Sequence, residues 1–145
     1  MKMYDQDEIE DLMKRALAAE LWIPAAMMQE APEVLCQVCN GIGAEWMSAR
    51  SRKILTKAFK YCELAAAIHD YEYYAQTTSR ASADERFLLN ALREVRYSYP
   101  QWWNWRRWLG ERAVLAAYAI LERVGIVAWE LSRLSAAAAK EKTAE

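Results

Sequence analysis

The stretch Cys62-Glu63-Leu64-Ala65-Ala66-Ala67-Ile68-His69-Asp70-Tyr71-Glu72-Tyr73 decides how the chain folds. Within it Cys62, Ala66, His69 and Tyr73 recur at intervals of four, three and four, so on a helix they share one face. That face is otherwise small and apolar, which directs His69, the chain's one histidine, toward the interior. Asp70 lies about 100° further around the same turn. One turn of helix thus sends an imidazole and a carboxylate in two neighbouring directions, while Glu72 should face solvent.

Working outward, this helix runs roughly from Thr56 to Gln76, and Thr77-Thr78-Ser79 marks a turn. Ser82 and Glu85 have the spacing of a capping box. The helix that follows turns Phe87, Leu88, Ala91, Leu92 and Val95 inward. Asp84 stands three and four residues before Phe87 and Leu88, hence on that same apolar stripe. Two helices joined by so short a turn pack antiparallel. Asp84 then lies beside the later part of the first helix, within reach of His69 or Tyr73. An interior carboxylate without a partner is costly, so Asp84 must be paired. A base also needs an orienting group on its far nitrogen, and Asp84 offers one.

The remainder is helical too. No valine or isoleucine alternates with polar residues over a strand's length, and only four Gly and three Pro interrupt 145 residues. Asp5 or Asp7 caps a first helix whose stripe is Ile9, Leu12, Met13, Ala16, Leu17 and Leu21, ended or kinked by Pro24. A short segment starts at Pro32 and runs to a glycine-punctuated loop, Cys39-Asn40-Gly41-Ile42-Gly43. Residues 44–54 read as a polar connection. After Pro100 comes a Trp/Arg-rich connection, then a long helix from about Glu111 to Ala139. The expected fold is a small all-α domain spanning 1–145: an N-terminal helical segment (1–31), a loop and two antiparallel central helices (32–98), a Trp-rich connection (99–110) and a C-terminal helix (111–139).

Composition narrows the function. A net charge of −1 implies no overall pull toward nucleic acid or anionic membrane, and nucleic acid is not expected as a partner. The N-terminus has no signal-peptide apolar core, and Glu122-Arg123 interrupts the apolar run from Ala113 to Leu131, so no membrane-spanning helix is expected. Three cysteines, an odd number, fit free thiols in a reducing compartment.

The loop admits more than one chemistry. A helix C-cap explains Gly41. Calcium, however, takes several oxygen ligands, often carbonyls of a tightly bent backbone plus a carboxylate, and Asp70 is the carboxylate at hand. A zinc site from Cys36, Cys39 and Cys62 with His69 is the minor alternative. Its spacing is irregular, and Cys62 and His69 stand two helical turns apart, about 10 Å along the axis. A thioredoxin-like use of Cys36-x-x-Cys39 lacks a surrounding βαβ pattern. A phosphohydrolase of the HD type needs several histidines for its metals.

Cys39-x-Gly41-x-Gly43 followed by His69-Asp70-x-x-Tyr73 resembles the phospholipase A2 pattern, in which a glycine-rich calcium loop precedes a helix bearing His-Asp-x-x-Tyr. The further Ala83-Asp84 with Phe87 is similar to the compact, disulfide-free parvovirus type and to uncharacterised phage and prophage phospholipase A2-like proteins. The shared pieces are Ala66 to Tyr73, Ala83 to Asn90 and Gly125 to Trp129, over about residues 36 to 130. The resemblance implies a phospholipase A2-like core and calcium-dependent hydrolysis of a phospholipid acyl ester. It assigns His69 as general base, Asp84 as its orienting carboxylate and Tyr73 as a donor to Asp84. Carbonyls of Cys39, Gly41 and Gly43 with the Asp70 carboxylate would hold Ca2+, and the Gly41 amide would serve the oxyanion. Cys39 replaces the family's aromatic residue, and the loop lies further ahead of His69 than in the secreted enzymes. The resemblance also implies a bacterial cytoplasm or a phage particle as location. A reading from a different class keeps the fold but makes the chain a phage or prophage structural or host-interaction protein without turnover.

Finally, Trp102, Trp103, Trp105 and Trp108 fall in one short segment with Arg106 and Arg107. Indoles at headgroup depth with arginines near phosphates suit a membrane interface. The same composition suits tryptophans that cap the core or form a homo-oligomer contact.

Overall fold

The computed structural model describes residues 3–39 and 47–143. Six helices and no strand occur among them: α1 (Gln6–Ala18), α2 (Ala25–Met28), α3 (Pro32–Val38), α4 (Ala49–Ala75), α5 (Arg80–Ser98) and α6 (Trp105–Thr143). The all-α expectation holds.

Local chemistry sets most boundaries. Asp5 accepts the Glu8 amide at 2.8 Å while Glu8 accepts the Asp5 amide at 3.1 Å, a capping box that starts α1. α3 opens with Pro32 at its first turn. α5 is capped by Ser79, whose hydroxyl accepts the Ser82 amide at 3.2 Å. The Ser82–Glu85 spacing therefore lies inside the helix and caps nothing. α4 ends at Gln76 in the left-handed region (φ 47°), where its side-chain amide donates to the Trp129 carbonyl at 2.9 Å.

Two connections are shorter than the sequence suggests. α4 begins at Ala49, with Ser48 accepting the Ser51 amide at 3.1 Å, so residues 49–54 are helix rather than polar connection. The polar residues there form a solvent face, while Leu55 and Ala58 bury the opposite one. At the other end Asn104 accepts the Arg106 amide at 2.9 Å, and α6 starts at Trp105 instead of Glu111 and continues to Thr143. Half of the tryptophan segment, residues 105–110, is thus the start of a helix.

α4 stands between two apolar clusters. One face of it, with Leu64, Ala67, Ile68 and Tyr71, packs against α1 and α3 through Ile9, Leu12, Ala16, Leu35 and Cys39. Another, with Leu55, Ala58, Cys62, Ala65 and Ala66, packs against α5 and α6 through Phe87, Ala91, Val95, Val114 and Ala117. Residues Leu64 to His69 are all buried, as befits a helix covered on both sides. The α4–α5 pairing is antiparallel, since Leu64 meets Glu94 while His69 meets Asp84. The α5–α6 pairing is antiparallel too: Gly110 lies against Val95, and Gly125 against Asp84.

α4 is broken at Cys62, whose φ of −141° and ψ of 34° are not helical. The break frees two amides, and Glu94 of α5 takes both: Leu64 at 3.1 Å and Ala65 at 3.0 Å. The second half of α4 therefore starts on a side chain supplied by the neighbouring helix.

Candidate active site

The second half of α4 and the first turns of α5 bring His69, Tyr73 and Asp84 together. His69 Nε2 and Asp84 Oδ1 are 2.9 Å apart, and the Tyr73 hydroxyl donates to the same oxygen at 2.6 Å. The Arg80 guanidinium donates to Asp84 Oδ2 at 2.8 Å. Asp84 is only 2% exposed, and this set of partners is what makes a carboxylate tolerable at that depth. Burial and the bond to Asp84 push the Tyr73 phenol far up, so it stays protonated as a donor.

Rings complete the enclosure. His69 lies 4.2 Å from the Tyr73 ring and 5.2 Å from Phe87, centroid to centroid, and Trp129 of α6 meets Tyr73 edge-on at 5.0 Å. α6 comes this close because residue 125 is glycine. A Cβ there would stand 2.7 Å from the Tyr73 hydroxyl and 3.3 Å from Arg80.

Chemically, the arrangement fixes which imidazole nitrogen is available. Nε2 is committed to Asp84, so Nδ1 is the nitrogen left to accept a proton.

Asp70, the next residue of α4, is half-buried, and its charge acts on Cys39 and Tyr4 of the α1–α3 cluster. Burial first, and then the Asp70 charge, raise the pKa of the Cys39 thiol; the Tyr4 phenol is raised by burial, then by Glu63, with a smaller push from Asp70. The Cys39 sulfur donates to the Ala67 carbonyl at 3.4 Å. The start of the glycine loop is therefore anchored on α4 one turn before Asp70, a link that the spacing of 39 and 70 in sequence does not reveal. The remaining loop positions, Gly41 and Gly43, lie outside the described residues.

The described residues contain no group of three or more His, Cys, Asp or Glu side chains poised to hold a metal ion. Of the three thiols, Cys39 belongs to the α1–α3 cluster and Cys62 to the α5–α6 cluster, where its sulfur donates to Ala58. Cys36 is partly buried at the first cluster's margin.

Glu72 requires a correction. It is 2% exposed, not solvent-facing, because Arg86 of α5 reaches it at 2.8 Å and Arg86 itself lies 4.2 Å above the Trp22 ring. The contact is ionic rather than an aligned hydrogen bond: Arg86 Nε and Glu72 Oε2 make no hydrogen bond among the described residues. Burial pushes Glu72 up to about 7 against the pull of Arg86, with Asp84 adding to the rise. Asn90, one turn beyond Arg86 on α5, clamps the Trp22 backbone by accepting its amide and donating to its carbonyl, both at 2.8 Å.

Sequence reading also missed Arg80 and Glu94. Arg80 sits at i−4 from Asp84, a spacing that signals an ion pair once Asp84 is placed inside. Nothing in the sequence signals the break at Cys62 that Glu94 serves.

The tryptophans of the α5–α6 corner do not cap the core. Trp102, Trp103, Trp105 and Trp108 are 79%, 70%, 63% and 57% exposed. Arg107 is tied to Glu111 and to the Pro100 carbonyl, whereas Arg106 and Arg112 lie over the rings of Trp105 and Trp108. No helix among the described residues is long and apolar enough to cross a membrane.

Comparison of the chain with protein-family models, with curated protein sequences and with solved structures finds no match.

Proposed function

We propose that the chain is a calcium-dependent hydrolase of phospholipid acyl esters, of the phospholipase A2 type. The reading is carried by one observation: a buried carboxylate, Asp84, that engages Nε2 of His69 while accepting from Tyr73 and Arg80. This is the constellation of a general base with its orienting group. His69 Nδ1 takes a proton from the attacking water and returns it to the leaving oxygen. Asp84 holds the ring's tautomer and balances its transient charge. Tyr73 and Arg80 keep Asp84 from turning away.

Cys39, Gly41 and Gly43 carbonyls with the Asp70 carboxylate would hold Ca2+, a hard oxygen set that suits this ion. The closeness of Asp70 to the Cys39 end of the loop supports that assignment. Bound there, the ion would supply charge stabilisation for an ester oxyanion.

The test couples binding to turnover. Calcium should raise the melting temperature of the wild type and of His69→Asn but not of Asp70→Asn, with zinc as the control metal. Fatty-acid release from phospholipid vesicles should require calcium and vanish in His69→Asn. A protein that neither responds to calcium nor releases fatty acid is instead a structural or host-interaction component of a phage or prophage.

A further inference from the structure

The corner where α5 hands over to α6 has no role in the His69 chemistry, yet it concentrates the molecule's exposed aromatic surface. Trp102 and Trp103 stack edge to face at 5.8 Å and are each at least 70% exposed. Trp105, Trp108, Leu109 and Leu115 continue the apolar surface along α6, from 38% to 63% exposed. An exposed patch of this kind marks a contact surface.

Its charge says which kind. Between residues 93 and 112 the chain carries five arginines and two glutamates, although its net charge is −1. One of those glutamates, Glu94, is buried beneath the Leu64 and Ala65 amides, and the other, Glu111, is held by Arg96 and Arg107. Arg106 and Arg112 are left exposed, stacked on Trp105 and Trp108 at 5.4 and 4.9 Å. Arg106 and Arg107 also occupy the first turn of α6, where the helix dipole disfavours cations and the first turn contains no acid to offset them. The corner is therefore both aromatic and positively charged. A second copy would bring the same charges against themselves. A surface of anionic headgroups over an acyl layer complements both properties.

We propose that the α5–α6 corner is an adsorption face for anionic lipid bilayers. Trp102, Trp103, Trp105 and Trp108 enter the headgroup layer, and Arg106 and Arg112 meet the lipid phosphates. Adsorption deepens the hydrolase reading by naming the surface on which substrate is met, and it rests on that reading only for this purpose. The corner lies some 20 Å along α5 from Asp84, so adsorption and chemistry are separable.

The experiment uses the full chain with phosphatidylcholine vesicles, with and without phosphatidylserine, and measures co-sedimentation together with quenching of tryptophan emission by brominated lipid. Circular dichroism and melting serve as folding controls. Binding is expected only with phosphatidylserine and should weaken with salt. Arg106→Gln and Arg112→Gln should each lower vesicle affinity about fivefold, and the pair Trp102→Ala with Trp103→Ala should abolish the lipid quenching. The inference is overturned by failure to bind, by binding that these variants do not alter, or by sedimentation showing a dimer that the tryptophan pair dissolves. His69→Asn should adsorb as the wild type does. Adsorption without fatty-acid release in the wild type removes the hydrolase reading and leaves this one. Release from dispersed lipid without adsorption does the reverse.

Discussion

Tyr73 and Gly125 touch across α4 and α6, and the contact admits no side chain at position 125: a Cβ there would lie 2.7 Å from the phenolic oxygen. Gly125→Ala gains helix propensity worth up to about 1 kcal/mol. It must nevertheless displace either α6 or the hydroxyl that donates to Asp84. Overpacking of this kind costs about 1–3 kcal/mol. A lower urea midpoint is expected, with fatty-acid release impaired more than the stability loss explains. An unchanged midpoint would show that α6 moves freely.

The partners of Asp84 should differ in weight. Tyr73→Phe removes one hydrogen bond and should cost about 1–2 kcal/mol. Asp84→Ala strips His69, Tyr73 and Arg80 of their common acceptor and should cost about 3–5 kcal/mol. Asp84→Asn keeps the shape and should preserve most of the fold while losing turnover. Denaturant melts read alongside a lipid assay separate the two effects.

Stability should rise as the solution is acidified through neutrality. Glu72 and Glu94 have native pKa values near 7, raised mainly by burial from an ordinary value of 4.5. Between those limits the native protein binds more protons than the unfolded chain, so folding is favoured as pH falls from about 8 toward 5. Arg86 and the Leu64 and Ala65 amides oppose the rise, while Asp84 and Glu63 add to it. The full effect is on the order of 3 kcal/mol per group. Urea melts at several pH values measure the slope, and Glu72→Gln should make it shallower, leaving the share of Glu94. A slope of opposite sign would mean that both carboxylates are stabilised as anions.

The metal prediction separates Asp70 from its neighbour. Asp70→Asn should abolish the calcium-dependent thermal shift, whereas His69→Asn should retain it. Loss of the shift in both would mean that the loop is organised by the imidazole rather than by the carboxylate.

How far the sequence was legible depended on whether a side chain's partner lay within a helical repeat. His69, Tyr73 and Asp84 follow from four-residue spacing and one short turn, and the distances agree. The all-α class follows from the same periodicity. Glu72 did not, because a charged residue on a mixed face reads as exposed until Arg86 arrives from another helix to cover it. Gly125 was readable as a motif position but not as the point where α6 meets the dyad. The helical starts at Ala49 and Trp105 were hidden by polar and aromatic residues that look like connections but are solvent faces. The approach of Cys39 to Asp70 depends on how α3 docks against α4, which no local pattern encodes.

The break at Cys62 gives α4 two fates under thermal fluctuation. The half bearing His69 begins on the carboxylate of Glu94, so it can unravel only together with α5. The half before the break lacks that tether. In amide hydrogen exchange the molecule should breathe in two portions, residues 49–61 opening at lower free energy than residues 63–75. The histidine would then ride on the slowest-exchanging part of a helix that its first half leaves free to fray.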